Sequence, residues 1–432
     1  MLARKNEGAG VVVVARPLHF CADDHFSLGR RVEFMMCVPA VKLKVSGCDG
    51  EVLSFSRRWR RYTQSGSNMR MKRLLALGLD LFVTLVGLHS ALAWDYEGHR
   101  VVNELALASL PTNFPSFVRT PEATERIAFL AGEADRWRNT PDLPLQHCQE
   151  PEHFMDMEEL AQFGLKPEAL PIFRYDFISE LAAYRKTHPE NFPAADSASD
   201  PAHKHSWVGL LPWVITENYG KLKSEFSYLK AFEQDGGTAE EIANAQANVL
   251  YTMGVMGHHV GDASQPLHTT IHHHGWKGEN PHHYSTRESI HGWIDGGYFR
   301  KIGGANLKEM QSKLRPAQLV SINGRAAKPE EMFQAVMSFI LEQHKLVEPL
   351  YQLDQEGKLS GEGEVGMQGR VFLEGQLMKS GQLLGDIWYS AWQQAPPDTF
   401  LKSQLVRRKG KEAPNPKSQA PEKPQSSSTK AE

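Results

Sequence analysis

Two pairs of histidine and aspartate stand four residues apart in this chain, His258 with Asp262 and His291 with Asp295. On a helix that spacing projects both side chains from one face, one turn above the other. His268 lies between the pairs and follows Pro266, which ends the helix that carries the first pair. Imidazole nitrogens and carboxylate oxygens together suit zinc, for which four ligands are the usual structural count. One such pair is a weak signal. Two pairs bracketing a further histidine favour a metal site over solvated helix-face residues.

The elements that must hold these residues begin well inside the chain of 432 residues. Met69-Arg70-Met71-Lys72-Arg73 reads as a basic n-region, and an apolar run from Leu74 to Leu92 follows. Ala91-Leu92-Ala93 closes the run in the small-residue pattern of a signal-peptidase site, so residues 69–93 are expected to be a signal peptide. Asp80 inside the run argues against a membrane anchor. Residues 1–68, basic and turn-rich, read as an over-extended gene start or a disordered leader. The 48 basic and 51 acidic residues of the whole chain become 34 and 44 past Ala93, a net charge of −10. A long basic groove for duplex nucleic acid is therefore unexpected, and attraction to phosphate must be local. Of four cysteines only Cys148 lies beyond Ala93, which rules out an internal disulfide there. No N-x-[ST] sequon occurs either. Both absences fit a secreted or periplasmic protein of a bacterial envelope, with no stable membrane span after processing.

Past Trp94 the patterning is helical. His99 to Leu110 carries apolar residues at helical spacing, and Thr120-Pro121-Glu122 opens a helix expected to reach about Arg138. Residues 139–155, rich in Pro and Asp, read as a loop, and helices are expected over about 173–187 and 205–234. Thr238-x-x-Glu241 is a capping box for the central helix, whose apolar stripe runs through Ile242, Ala245, Val249, Met253, Met256 and Val260. Gly254, Gly257 and Gly261 sit in that helix despite costing about 1 kcal/mol each against Ala, which points to close approach of a neighbour. Residues 269–285 form a His-rich loop, and long helices follow over about 329–347 and 371–392. No alternating run suggests a sheet. The expectation is all-α: one compact multi-helix domain over 94–402, then a disordered Lys/Pro/Ser tail over 403–432.

In order along the chain stand Trp94 with His99, Ala134-Asp135-Arg136-Trp137-Arg138, His153-Phe154-Met155-Asp156, His258 to His268, and His291-Gly292-Trp293-Ile294-Asp295. This set resembles the S1/P1 nuclease family, relatives of the bacterial zinc-dependent phospholipases C, from Trp94 to about Trp392. The resemblance implies a cleft holding three Zn²⁺. Asp135, His153, His258 and Asp262 would hold the first, and His268, His291 and Asp295 the second. The third would take the α-amino nitrogen and carbonyl oxygen of Trp94, with His99 and a bridging oxygen of Asp262. It further implies hydrolysis of single-stranded DNA or RNA by a zinc-bridging hydroxide, with or without 3′-nucleotidase activity, by a monomer. Asp135, Arg138 and Asp262 would be catalytic. Phe154 would stack on a base and Asp156, as a carboxylate, would accept from its edge.

Three Zn²⁺ against the carboxylates of Asp135, Asp262 and Asp295 leave a local positive surplus that would draw a phosphodiester into an acidic domain. Taken singly, each residue has a plainer reading. Asp135 and Arg138 at i, i+3 can be a solvated ion pair, and Phe154 can be core packing. His259 points about 100° away from His258 and reads as structural; Trp207 and Trp213 read as core, and the His272–His274 cluster with His282 and His283 as a solvated loop beside the site. Two further functions stay open: zinc-dependent phospholipase C acting on lipid head groups, and zinc binding without catalysis. An amide nitrogen cannot ligate as an amine does. A chain that keeps a Met ahead of Trp94 should therefore bind one metal fewer and lose most activity, as read by elemental analysis. Full metal content in that chain would remove the terminus from the ligand set.

Overall fold

The computed structural model describes residues 94–192, 198, 200–204 and 207–412. The leader, the signal peptide and the last twenty residues of the expected tail lie outside the described residues. Among the described residues fifteen α-helices follow one another: α1 Tyr96–Ser109, α2 Pro121–Leu130, α3 Glu133–Arg138, α4 Leu143–Gln149, α5 Arg174–Thr187, α6 Leu211–Asp235, α7 Ala239–Ser264, α8 Ile290–Gly292, α9 Tyr298–Ile302, α10 Leu307–Lys313, α11 Met332–His344, α12 Val347–Gln355, α13 Gly363–Gly366, α14 Gly369–Gln393 and α15 Thr399–Glu412. Among the described residues, strands amount to one two-residue hairpin, Ser321–Ile322 against Arg325–Ala326. Its Asn323-Gly324 turn has positive φ at both positions, as a tight hairpin of this twist requires. The fold is all-α, and no described helix is long and apolar enough to cross a membrane.

α7 is the axis. α1, α2, α6, α11 and α14 all pack on it, and α14 also packs along α1 and α6. Its capping box is complete, with Thr238 Oγ1 accepting from Glu241 N at 3.2 Å and Thr238 N donating to Glu241 Oε2 at 2.8 Å. The expected apolar stripe describes only the first half of the helix. From Thr252 onward every residue through Thr270 is buried, so the second half is enclosed on all sides. Glycine makes that enclosure possible. A Cβ on Gly254 would lie 2.5 Å from Leu130 Cβ, one on Gly261 would lie 2.6 Å from His99 Nδ1, and one on Gly257 would strike Asn103. Asn103 uses the gap at Gly257 to bridge α1 to its neighbours, donating to Ile127 O at 2.8 Å and Gly254 O at 3.0 Å.

Four expected boundaries are corrected. The helix opened by Thr120 stops at Leu130 and restarts at Glu133, because Gly132 passes so close to the Tyr96 ring that a Cβ there would sit 2.7 Å from it. Residues 139–155 are not a loop: α4 and a 3₁₀ turn, Glu150–His153, occupy most of the segment. Asp142 caps α4 by accepting from Leu145 N at 3.0 Å, so Asp and Pro there marked a helix start. The tail is helical as far as Glu412, because α15 lies against α6 with Leu405 buried and Arg408 paired to Glu241 at 2.9 Å. α6 also starts later than expected, at Leu211, since Gly209 is held extended by a bridge to Met155.

The glycines of the long helices make opposite predictions. Gly257→Ala should destabilise the protein by about 1–3 kcal/mol through overpacking. Gly220→Ala, on a stretch of α6 with nothing within 4 Å of the added Cβ, should stabilise it by up to about 1 kcal/mol. Urea unfolding midpoints at unchanged m-values would check both.

Candidate metal centre

The second half of α7 delivers His258 and Asp262, and its end delivers the rest. Gln265 caps the helix, and a 3₁₀ turn, Pro266–Thr269, carries His268. α1 brings His99, α3 brings Asp135 and Arg138, and the turn after α4 brings His153. His291 leaves α8 and Asp295 lies in the π-helical turn Trp293–Gly297 that joins α8 to α9. The eight expected side-chain ligands meet. They form three groups whose ligand atoms lie within 4.8 Å of one another: His99, Asp135 and His258; His153, His258 and Asp262; and His268, His291 and Asp295. The partition differs from the expected one in that Asp135 groups with His99 and His258.

The ring nitrogens face each other in a way hydrogen bonds alone do not explain. His258 Nδ1 donates to Ala131 O at 2.7 Å, which fixes the proton there and leaves Nε2 as a lone pair. That Nε2 lies 3.0 Å from His153 Nδ1 and 3.4 Å from Asp262 Oδ2. His268 Nδ1 donates to His153 O at 2.6 Å, so its Nε2 lone pair faces His291 Nε2 at 3.0 Å. His153 Nδ1 lies 3.0 Å from Asp262 Oδ2, and His291 Nε2 lies 3.2 Å from Asp295 Oδ2. Asp262 Oδ1 is buried with no hydrogen-bond partner, 3.5 Å from His99 Nε2. Converging lone pairs and an orphaned carboxylate oxygen are what cations require, so these buried groups can hold metal ions.

Burial pushes the carboxyls of Asp262 and Asp295 well above the ordinary range, and each lies near other carboxyls that push the same way. Burial drives His153 and His291 well below the ordinary imidazole value, and His258 and His268 down to about 3. Without a cation, burial favours the neutral form of carboxyls and imidazoles alike.

Arg138 is not a solvated pair. Its side chain is 11% exposed, donates from Nε to Asp135 Oδ1 at 2.9 Å, and lies 3.8 Å from Glu150. It lines a cleft of about 1250 Å³ with Phe154, Asp156, His291 and Asp295. Burial, reinforced by Glu159 and Glu158, lifts the Asp156 carboxyl to about 8, a shift toward its neutral form. Trp213 is core, stacked on Phe177 at 4.2 Å, whereas Trp207 lines the cleft with Arg185 over its ring. Of the His-rich segment, His273 and His274 line the cleft, His272 stacks on Trp276 at 3.9 Å, and His282 and His283 are exposed. Trp94 is fully buried, its Nε1 donating to Gly261 O at 3.1 Å. His205 lies outside the described residues.

Sequence reasoning passed over two supports. Gln265, fully buried, donates from Nε2 to Asp295 Oδ1 at 2.7 Å and holds Leu267 N with its oxygen. The Ala131 carbonyl is available to His258 because α2 ends just before it. Gln beside a helix-ending Pro was a visible signal; the carbonyl had none. No family model, curated protein or solved structure matches the chain.

Burial favours the protonated form of Asp262 and Asp295 and the neutral form of the imidazoles, so metal binding is expected to displace protons from the carboxyls. Adding a divalent metal to chelator-treated protein near neutral pH should release protons, lose the infrared band of a protonated carboxyl, and bind more weakly as pH falls. Binding with no proton release would contradict this charge assignment.

Proposed function

We propose that the protein is an exported zinc-dependent phosphodiesterase that cleaves single-stranded DNA or RNA and holds three Zn²⁺. The observation that carries the reading is the meeting, with lone pairs converging, of five imidazoles and three carboxyls, four of which (His153, His268, His291 and Asp295) line a cleft that also presents Arg138 and Phe154. The donor set fits zinc, with nitrogen and carboxylate oxygen in groups of three that leave room for water or substrate. Zinc, when bound, supplies Lewis acidity at a phosphoryl oxygen and lowers the pKa of water.

The chain's own groups do the rest. The eight side chains fix the cations, and Gln265 holds Asp295 in place. Arg138 is oriented by Asp135 and Glu150, so its remaining N–H groups are free to meet charge developing on the phosphoryl oxygens. Phe154 offers a face for a base without selecting its sequence, and Asp156, on the same cleft, meets the base edge. Local cationic charge attracts the phosphodiester while the domain as a whole stays acidic.

A second reading, phospholipase C, is favoured by one feature. Phe173 and Tyr175 are 65% and 81% exposed, and Arg174 between them pairs with Glu152, the neighbour of His153. An apolar tip tied to the site suits a lipid surface.

Elemental analysis of the purified mature protein should give three zincs. The protein should hydrolyse single-stranded DNA or RNA and leave phosphatidylcholine intact; the reverse preference would select the second reading. Arg138→Ala should lower turnover about a hundredfold at unchanged zinc content. Phe154→Ala removes about 1–3 kcal/mol of stacking, so single-strand cleavage should fall about five- to 150-fold while hydrolysis of bis(p-nitrophenyl) phosphate changes far less. Equal losses on both substrates would make Phe154 a support for His153.

A further inference from the structure

Two metal-centre histidines have their outer nitrogens tied to backbone carbonyls, His258 to Ala131 and His268 to His153. His153 differs. Its Nδ1 faces the centre, 3.0 Å from both Asp262 Oδ2 and His258 Nε2, so in the neutral ring the proton belongs on Nε2. That Nε2 is buried and has no partner, and the whole residue is 0% exposed. Beside it lies the ring of His259, centroid to centroid 5.8 Å and inclined 43°, itself 1% exposed with neither nitrogen in hydrogen-bond geometry. The Val255 carbonyl, one turn earlier, biases one His259 nitrogen toward carrying the proton without reaching that geometry.

Position 259 of α7 has a packing task that an apolar side chain would perform, as Met256, Val260 and Ala263 do around it. A buried imidazole with two unmet nitrogens, next to a second imidazole with one, instead calls for a small polar partner shared between them. A single water fits that chemistry. It would accept from His153 Nε2–H and donate to the acceptor nitrogen of His259, as buried waters do for polar groups left unpaired. We infer that His259 is the positioning residue of His153, acting through one buried water that holds the ring with Nδ1 turned to the metal. His258 and His259, adjacent on α7, thus serve one centre from two sides, the first as a ligand and the second from behind another ligand. Outer partners of this kind set both the tautomer and the orientation of a ligating ring.

The inference rests on the zinc reading, and the experiment separates the two. Zinc affinity of the purified mature holoprotein, His259→Leu and His259→Gln would be measured by chelator competition, independently of activity. His259→Leu keeps bulk and removes polarity, and should weaken one zinc equivalent about 10- to 100-fold; His259→Gln keeps a donor and an acceptor and should restore most of that affinity. Equal affinity of His259→Leu and the native protein would overturn the inference while leaving the zinc reading intact, and so would equal losses in both variants, which would mean packing. A native protein that binds no zinc would overturn both. A crystal structure of the native holoprotein needs no variant: water within hydrogen-bonding distance of His153 Nε2 and a His259 nitrogen supports the inference, and a dry contact refutes it.

Discussion

Taking three carboxyls and five imidazoles out of water at the end of one enclosed helix is the constraint on which the rest of this structure depends. A buried charge is expensive unless it is paired and hydrogen-bonded. The protein does little to pair Asp262: one oxygen has no partner and the other faces ring nitrogens. The carboxyls are pushed up and the imidazoles down by the same cause, so the cluster has too few protons to hydrogen-bond itself together. Cations resolve that conflict where side chains alone do not.

The scaffold follows from the same need. α7 must be surrounded to keep its last turns dry, and glycine at 254, 257 and 261 lets α1 and α2 come close enough to do it. Each close approach also brings chemistry. Gly261 admits His99, and the α2–α3 break leaves the Ala131 carbonyl for His258. The π-helical turn at Trp293–Gly297 keeps His291 and Asp295 side by side, and Gln265 secures the free oxygen of Asp295. Helix irregularities here coincide with ligand positions, as such bulges often do.

Around that rigid centre the cleft is more varied. Arg138 is held between two acids, burial pushes the Asp156 carboxyl up to about 8, and Phe154, Trp207, His273 and His274 supply rings along the walls. On the proposed function, that mixture is where alternating bases and phosphates would lie. The exposed Phe173 and Tyr175 are the one feature that points toward lipid.

Much of the site was legible because metal chemistry leaves local marks. His258 with Asp262 and His291 with Asp295 read at helical spacing, Thr238 and Glu241 announced α7, and three glycines in a buried helix signalled close neighbours. The helical class followed from periodicity alone. Mistakes fell where one signal had two meanings: Asp142 and Pro144 looked like a loop and capped α4, and the Lys-rich segment after Leu401 looked disordered until α6 gave it a surface to dock on. What the sequence by itself determined was the list of ligands and the helix that carries the central pair, because residue type and i, i+4 spacing are local facts. Only the tertiary structure decided which nitrogen of each ring faces the centre, that burial raises the Asp156 carboxyl, that Trp207 belongs to the cleft, and that His259 lies beside His153. Those depend on burial and on carbonyls distant in sequence, and no spacing along the chain records them.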